Sequence, residues 1–330
     1  MKIAIIGAGA IGSIMAGYLS RNSQEITLIA RKDTAEDINK KGLDIKGARG
    51  EFNVKLKACQ SLAEKQDLII LAVKTQDIES AVKEQGAALG DVPFLAIQNG
   101  LRAKEILKRY TKAENIISAI VMFGATKLDT SEVVHNFEGP LILEKIPALN
   151  REIISALESS FELSVADNIK GMKWLKIFVN ANNCIPAILG KSMQECFSNL
   201  DICRISIAIW KEGIEIAKAA GIKLASLPDF DVERINKLTS LPSQEAAKIF
   251  SGIMTNLSKE PLYGSILQSI KKGRLSEIDY INGEFVKAAG TCGSKALLNE
   301  KLVEMVHRVE ESKSFFEVSR LLGETKEFLN

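Results

Sequence analysis

The segment KIAIIGAGAIGS, residues 2–13, decides the fold class of this chain. It begins with a short run of apolar, mostly β-branched residues, which is typical of a buried parallel strand. Gly7, Gly9 and Gly12 then follow in the spacing G-x-G-x-x-G, and an apolar helical periodicity covers residues 14–19. A second apolar run, EITLIAR, lies at the distance that a βαβ unit requires. The segment therefore predicts a strand, a tight turn and a helix.

Glycine at these three places favours a dinucleotide-binding loop over a glycine-rich turn without a ligand. The first glycine of this motif allows the tight turn, the second lets the backbone approach a pyrophosphate, and the third permits close packing of helix and strand. The N–H groups of the helix N-terminus then face the phosphates. The uncharged stretch from Ile3 to Ser20 also resembles a secretory signal peptide. A signal peptide, however, has no need of glycine at this spacing.

Arg31 and Lys32 follow the second predicted strand and bear on the choice of cofactor. A guanidinium at this strand tip suits a ribose 2′-phosphate, which it binds through paired charge-assisted hydrogen bonds, so NADPH/NADP+ is the expected cofactor. Asp33 lies slightly beyond, so a free ribose 2′-hydroxyl stays an alternative. A solvated arginine on a loop is the second alternative.

The rest of the first half continues the alternation of strand and helix. DLIILAV and FLAIQ are typical of buried parallel strands, and helical stretches follow them around 76–89 and 102–110. IISAIVMFGA, EVVHNF and PLILEKI read as further strands, the last two separated by a turn at Gly139–Pro140. Lys74 and Asn99 come just after two strand C-termini, the edge at which open α/β sheets bind ligands. A solvated loop lysine and a simple Asn-Gly turn are the alternatives.

Helical periodicity dominates after about residue 166. The predicted helices cover roughly 170–189, 201–220, 243–258, 265–272, 276–290 and 297–312. The expected architecture is an α/β Rossmann domain at 1–166, with a doubly wound, mainly parallel sheet, followed by an all-α domain at 167–330. An active-site cleft between the two domains is expected.

Composition narrows the function classes. The chain has 330 residues, 46% of them hydrophobic and 25% charged, with a net charge of +2. This balance gives no reason to expect a nucleic acid or a membrane as partner. The five cysteines are scattered, and there are two histidines. This pattern argues against a metal site and favours a reducing, cytoplasmic setting.

The stretch WLKIFVNANNCIPAI, residues 174–188, places polar groups in an apolar helix. At 100° per residue, Lys176, Asn180 and Asn183 lie within one stripe, with Cys184 at its edge and Asn182 pointing well away. Burial of such groups without partners is costly. We therefore expect the stripe to face a ligand, with Lys176 as a proton donor. The alternative is a lysine that extends along the helix to reach water.

Two later segments add candidate groups. In SEIDYING, Ser276 and Asp279 have the spacing of a capping box, which would place Glu277 in the first turn of a helix. Favourable interaction with the helix dipole is the alternative role for Glu277. Ser265, in YGSILQS, is predicted to be an N-cap whose hydroxyl could hold a substrate carboxylate.

These motifs together make the chain resemble the ketopantoate reductase (2-dehydropantoate 2-reductase) family over essentially its whole length. The resemblance rests on GAGAIG, AVKTQD, AIQNG, WLKIFVNANN and SILQSIKKGRLSEIDYING. The last motif is long and specific, whereas the first is shared by many dehydrogenases. The family implies NADPH-dependent reduction of the 2-oxo group of ketopantoate to pantoate, a step of pantothenate and coenzyme A biosynthesis.

The resemblance also implies residue roles. Lys176 matches the family's general acid and Glu277 an acid that binds and orients in the active site and at the cofactor. Asn180, Ser265 and Asn99 match substrate contacts, to which we add Asn183 and Cys184 as pocket residues. The expected cofactor-binding residues are Gly7, Gly9, Ala10, Ile11, Gly12, Arg31, Lys74, Asn99 and Glu277.

The sequence departs from the family pattern at two places in the substrate pocket. Cys184 stands where a second asparagine is typical, and Leu262 replaces an asparagine three residues before the serine. Reduction of another branched 2-oxo acid, or a non-catalytic NADP(H)-binding regulator, therefore stay alternatives. The C-terminal stretch 312–330 is expected to pack on its own domain, with a homodimer contact as the alternative.

Overall fold

The structure is a computed structural model that describes residues 1–258 and 260–329, apart from the side chains of residues 87 and 88. Its contacts divide the chain into two compact units, Met1–Ile169 and Lys170–Asn330. The division falls within a few residues of the predicted domain boundary. Among the described residues, no helix is both long and apolar enough to cross a bilayer.

The first unit alternates strands and helices. Its strands are β1 (Lys2–Ile6), β2 (Glu25–Ile29), β3 (Leu43–Gly47), β4 (Phe52–Val54), β5 (Lys57–Cys59), β6 (Leu68–Leu71), β7 (Phe94–Ala96), β8 (Ile116–Val121), β9 (Gly124–Lys127), β10 (Glu132–Phe137), β11 (Leu141–Glu144) and β12 (Leu163–Ala166). Its helices are α1 (Ala10–Arg21), α2 (Lys32–Lys41), α3 (Ile78–Gln85), α4 (Arg102–Leu107) and α5 (Arg151–Glu158).

The main sheet has the order β12-β11-β8-β7-β6-β1-β2-β5. Its pairings are parallel apart from the antiparallel pair β8–β11, so the doubly wound, mainly parallel sheet is confirmed. Both faces are covered: Ile3 and Ile5 pack into one core, and Ala4 and Ile6 into the other. The chain runs outward from β1 to β2 and β5, then returns to β6. The switch point of the topology therefore lies between β1 and β6, where such sheets bind ligands.

A second, four-stranded sheet in the order β4-β3-β10-β9 was not predicted as a separate layer. The two strands expected on either side of Gly139–Pro140 both form, but β10 belongs to this small sheet and β11 to the main one. The hydroxyl of Tyr18, on α1, lies 2.8 Å from Nδ1 of His135, on β10, and both side chains are buried. This contact ties the small sheet to the helix that follows the glycine loop.

The second unit is helical in its described part. Its helices are α6 (Ile169–Ala181), α7 (Cys184–Leu189), α8 (Met193–Phe197), α9 (Leu200–Ala219), α10 (Val232–Ser240), α11 (Ser243–Thr255), α12 (Ser265–Lys271), α13 (Asn282–Thr291), α14 (Leu297–Ser312) and α15 (Val318–Thr325). The helical expectation for this half is confirmed, although α8, α10 and α15 fall outside the predicted ranges. The C-terminal stretch forms α15, which packs on α9 with Leu321 fully buried.

The helix predicted over 170–189 is wrong in one respect, because it breaks at residues 182 and 183. Pro186 explains the break: its ring would collide with the carbonyl of Asn182, four residues earlier, in a continuous helix. Proline is tolerated in the first turn of a helix, and Pro186 lies in the first turn of α7.

Candidate active site

The glycine loop has the shape of a phosphate cradle. Gly7 has φ +115°, and a Cβ there would lie 2.8 Å from the backbone nitrogen of Val73. A Cβ on Gly12 would collide with the carbonyl oxygen of Gly7. At Gly9, by contrast, the nearest heavy atom to such a Cβ is Ala72 O at 4.0 Å, so space is open beside the backbone. These requirements are those of a dinucleotide loop, and the residues therefore fit the pyrophosphate of a nicotinamide cofactor.

The helix that follows the loop begins at once. Ser13 N donates to Gly9 O at 2.9 Å, and α1 starts at Ala10 with Ile11 next. N–H groups in the first turn of an α-helix have no intrahelical acceptor and carry the positive end of the helix dipole. Ala10, Ile11 and Gly12 therefore present backbone donors at the end of β1.

The sheet order brings the other predicted cofactor residues to the same edge. Because β7, β6, β1 and β2 are neighbours, the residues that follow them lie side by side: Asn99, Lys74, the glycine loop and Arg31. Gln98 was not predicted, yet its amide donates to the carbonyls of Leu71 at 2.6 Å and Val73 at 3.0 Å. It cross-links the ends of β6 and β7 beneath Lys74 and Asn99.

Arg31 lies at the tip of β2 and is the N-cap residue of α2. Its side chain is exposed, and Lys32, also exposed, forms a loose ion pair with Glu36 at 4.0 Å. The positive charge expected beside a ribose 2′ position is therefore present at the correct strand end. Asp33 is in the first turn of α2, so the acidic alternative is also nearby.

In the second unit, α6 presents Lys176 and Asn180 one turn apart. Both side chains are partly buried, while their neighbours Leu175 and Ile177 are almost completely buried. The i,i+4 spacing puts the two polar groups on one face of the helix. Val179, next to Asn180 in sequence, is 36% exposed. The face therefore combines an ammonium and an amide.

Asn183 lies in the turn after α6 and is the N-cap residue of α7. A Cβ on Gly264 would lie 3.0 Å from Cγ of Asn183, so the asparagine side chain packs directly against the residue before Ser265. The structure thus brings Asn183 and Ser265 together, from segments about 80 residues apart. Because the helix breaks before Asn183, this proximity comes from the packing of α7 on α12 and not from the predicted helical stripe.

Lys176 and Glu277 are electrostatically coupled. Burial lowers the pKa of Lys176 from its ordinary value to about 8, and the charge of Glu277 opposes that shift. A lysine with this pKa exchanges its proton near neutral pH, which suits a general acid. Perturbed titration of this kind clusters at functional sites.

Two local predictions around this pair are wrong. Ser276 does not form a capping box with Asp279 at the start of an α-helix: its hydroxyl accepts from the N–H of Ile278 at 3.3 Å, at the start of the short 3₁₀ helix Ile278–Tyr280, and α13 begins only at Asn282. The N–H of Ser276 donates to Glu310 Oε1 at 2.7 Å. Ser265 is the first residue of α12, and its N-cap is Gly264. The hydroxyl of Ser265 is nevertheless exposed and available to a ligand.

Cys184 is expected to shape only the wall of the pocket, with Asn183 as the second amide. The Cys184 side chain is completely buried, burial raises the pKa of its thiol to about 12, and Asn282 Nδ2 donates to its sulfur at 3.8 Å. A group with no exposed surface cannot contact a substrate without rearrangement. Cys184 therefore belongs to the packing behind the site.

Gln194 and His307 hold segments next to the candidate residues, and neither was predicted from the sequence. Gln194 bonds three backbone groups of the segment before Gly264, including the N–H of Leu262 at 2.9 Å. His307 bridges Asp279 at 3.1 Å and Glu310 at 3.0 Å, next to Glu277. These contacts join residues far apart in sequence, so no local pattern could reveal them.

Comparison with known proteins identifies the family of this chain. The family model "Ketopantoate reductase PanE/ApbA" matches residues 3–148, and its C-terminal counterpart matches 168–310. The 2-dehydropantoate 2-reductase of Pyrococcus horikoshii is 32% identical, over 94% of this chain and 98% of the relative. The Archaeoglobus fulgidus enzyme of the same name is 26% identical over the same shares.

Solved structures give the same fold. A PanE/ApbA family ketopantoate reductase from Ralstonia eutropha superposes with a TM-score of 0.81 at 24% identity, covering 95% of this chain and 99% of its own. A ternary complex of D-mandelate dehydrogenase with NADH and anilino(oxo)acetate also has a TM-score of 0.81, at 26% identity, covering 94% of this chain and 99% of its own. Two family models that together span most of the chain, and a relative that is 32% identical over 94% of it, show that this protein belongs to the ketopantoate reductase family of oxidoreductases.

Proposed function

We propose that this chain reduces the 2-oxo group of ketopantoate to the hydroxyl group of pantoate with NADPH, for pantothenate and coenzyme A biosynthesis. The observation that carries the proposal is the environment of Lys176. It is partly buried, has a pKa of about 8 and lies under the influence of Glu277, on a helix face shared with Asn180. Such a group is a proton donor matched to neutral pH.

Reduction of a ketone builds negative charge on its oxygen, so a donor must be placed there in advance. When bound, the nicotinamide supplies the hydride for the carbonyl carbon. Lys176 holds the proton for the carbonyl oxygen and, while charged, polarises the carbonyl. Glu277 raises the pKa of Lys176 against the effect of burial, and so increases the fraction that carries a proton.

The first unit would hold the cofactor. The N–H groups at Ala10, Ile11 and Gly12 suit the pyrophosphate, and Arg31 suits a 2′-phosphate. Lys74 and Asn99, at the ends of β6 and β7, lie on the side of the switch point away from Arg31, where the nicotinamide half would extend. These roles follow from the strand order and from the family resemblance.

The second unit would hold the substrate. Ketopantoate carries a carboxylate, a ketone, a terminal hydroxyl and two methyl groups. Asn180, Asn183 and Ser265 offer hydrogen-bond partners for the polar groups, and the exposed part of Val179 offers a surface for the methyl groups. The predicted cleft between the domains stays a prediction that a ligand-bound structure would test.

A direct test measures NADPH oxidation by the purified chain against ketopantoate and a panel of other 2-oxo acids. We expect ketopantoate to have the highest kcat/KM. The Lys176→Ala variant should lower kcat by about 10²-fold or more while NADPH still binds. Lys170→Ala is the matched control, because Lys170 is an exposed lysine at the start of the same helix. This change should leave kcat unchanged. Turnover by Lys176→Ala near the wild-type rate would show that Lys176 is not the general acid.

Reduction of a different branched or aromatic 2-oxo acid is a second candidate. Two observations favour it. Cys184 and Leu262 stand where the family typically has asparagines, and the chain is similar to D-mandelate dehydrogenase, which was solved with NADH and anilino(oxo)acetate. The same panel decides between them, because phenylglyoxylate would then exceed ketopantoate in kcat/KM. A regulator without activity would bind NADPH and oxidise it with none of the acids.

The cellular setting is part of the proposal. All five cysteine thiols are free, which suits a reducing, cytoplasmic compartment. A homodimer stays a prediction, to be tested by the molar mass in solution.

A further inference from the structure

Lys127 reaches the glycine loop from an unexpected direction. It is the last residue of β9, in the small sheet, and its Nζ donates to the carbonyl oxygen of Ala8, between Gly7 and Gly9. The two residues are 119 positions apart in the chain. The side chain is partly buried, so its ammonium beside the loop is only partly solvated.

The support of Lys127 is rigid. β9 pairs antiparallel with β10, where Lys127 lies opposite Val133, a completely buried residue. β9 also packs against α1, the helix that the loop opens, and Tyr18 on that helix contacts His135 on β10. The small sheet is therefore fixed to the loop's own helix, and the position of the ammonium follows from that packing.

We propose that Lys127 is a cofactor-binding residue, which fixes the glycine loop through Ala8 and places a positive charge beside the pyrophosphate. The inference rests on the proposed nicotinamide cofactor and adds a residue to its site. A loop carbonyl bonded by an ammonium keeps the loop N–H groups turned toward an anion. The charge itself attracts that anion, and partial burial reduces screening by salt.

The position of Lys127 predicts which part of the cofactor depends on it. The glycine loop follows β1, whereas Arg31 follows β2. The ammonium of Lys127, at the loop, and the guanidinium of Arg31 therefore lie at the ends of different strands. Lys127 should therefore affect every ligand that has the pyrophosphate, whether or not it has a 2′-phosphate. Arg31 should affect ligands that have the 2′-phosphate.

Binding of two cofactor fragments to the full chain separates these roles. ADP-ribose contains the pyrophosphate without a 2′-phosphate, and adenosine 2′-monophosphate contains the reverse. Isothermal titration calorimetry should show that Lys127→Met weakens ADP-ribose about tenfold or more, the loss expected for a charge-assisted hydrogen bond, and leaves adenosine 2′-monophosphate unchanged. Arg31→Ala should give the opposite pattern. Lys127→Arg should restore binding of ADP-ribose, and Lys127→Gln, which lacks the charge, should not.

Lys46→Met is the matched control, because Lys46 lies on β3 in the same sheet and pairs with Glu132 at 2.7 Å, away from the loop. It should leave both affinities unchanged. Wild-type affinity of Lys127→Met for ADP-ribose would overturn the inference. An equal loss of both fragments would also overturn it, since that result indicates a general effect on folding. If the wild-type chain bound neither fragment nor NADPH, the proposed function itself would fail.

Discussion

Lys176 shows how burial and one carboxylate tune a single side chain. Its pKa is about 8, with burial lowering it and Glu277 opposing that effect. A lysine donates a proton only in its charged form, which is present below its pKa. We therefore predict that kcat/KM for ketonic substrates is highest below pH 8 and falls as the pH rises through that value. A pH–rate profile measured with saturating cofactor checks this, and a flat profile up to pH 10 would contradict it.

Glu277 gives a second prediction at the same pair. Glu277→Gln removes the negative charge that raises the pKa of Lys176, so the alkaline limb of the profile should move to lower pH. Activity at pH 7 should fall, and part of it should return at lower pH. Loss of activity with an unshifted limb would mean that Glu277 acts on the ligand and not on the lysine.

Asn183 and Cys184 are adjacent in sequence and differ in environment. Asn183 is partly exposed against Gly264, whereas Cys184 is completely buried beside Asn282. We expect Asn183→Ala to lower kcat/KM by about tenfold or more, because a hydrogen-bonding site loses much when one partner is deleted. Cys184→Ala should lower the free energy of unfolding by about 1 kcal/mol through a small cavity, with little change in KM. Steady-state kinetics and urea unfolding of both variants measure these effects, and the reverse pattern would place the thiol in contact with substrate.

At the scale of elements, a histidine braces the segment that carries Glu277. Burial acts to lower the pKa of His307, but its hydrogen bonds to Asp279 and Glu310 outweigh burial and raise it above the ordinary value. Charged imidazole donates from both nitrogens and can satisfy both carboxylates, whereas the neutral form has one donor. Glu310 in turn accepts from the N–H of Ser276, so the bridge holds residues 276–279 against α14.

The expected consequence is pH-dependent stability. Because the folded state raises the pKa of His307, its contribution should be complete below the ordinary histidine pKa of about 6.5 and should decline as the pH rises through the raised value. The difference in unfolding free energy between wild type and His307→Gln should therefore be larger at pH 6 than at pH 9. Urea unfolding at the two pH values measures it. His135 is common to both proteins and cancels from the difference, and an equal difference at both pH values would contradict the bridge.

Elements with a strong local signal could be predicted from the sequence, and those set by distant contacts could not. β1, the glycine loop and α1 follow from apolar runs and glycine spacing. The break between α6 and α7 was visible in Pro186 but was outweighed by apolar periodicity on both sides. Helix periodicity also suggested one helix from Ser276, whereas the bonds of Glu310 and His307 turn that segment into a 3₁₀ helix. The small sheet escaped prediction because its edge strands β4 and β9 are only a few residues long.

At the scale of the whole molecule, each set of site residues is assembled by topology. The residues proposed for the cofactor follow four neighbouring strands, which the strand order places side by side. Asn183 and Ser265, which are proposed to contact the substrate, are brought together by the packing of α7 on α12. The residue types could be predicted from the motifs, but the supporting contacts of Lys127, Gln194 and His307 required the three-dimensional arrangement.

The last prediction concerns which cofactor this assembly selects. Arg31 is exposed at the tip of β2, with Lys32 beside it. Lys32 pairs with Glu36 at 4.0 Å between exposed side chains, and such a surface pair contributes little to stability. A guanidinium there should bind a 2′-phosphate, so NADPH should have a lower KM than NADH. Arg31→Ala should raise the KM for NADPH about tenfold or more and leave that for NADH nearly unchanged, since removal of one charge-assisted pair costs affinity only where the phosphate is present. Asp33→Ala tests the alternative, because an acidic residue that binds a free 2′-hydroxyl would support NADH. Equal losses for both cofactors in Arg31→Ala would exclude a 2′-phosphate role, and a preference of the wild type for NADH would align this chain with the NADH-bound D-mandelate dehydrogenase.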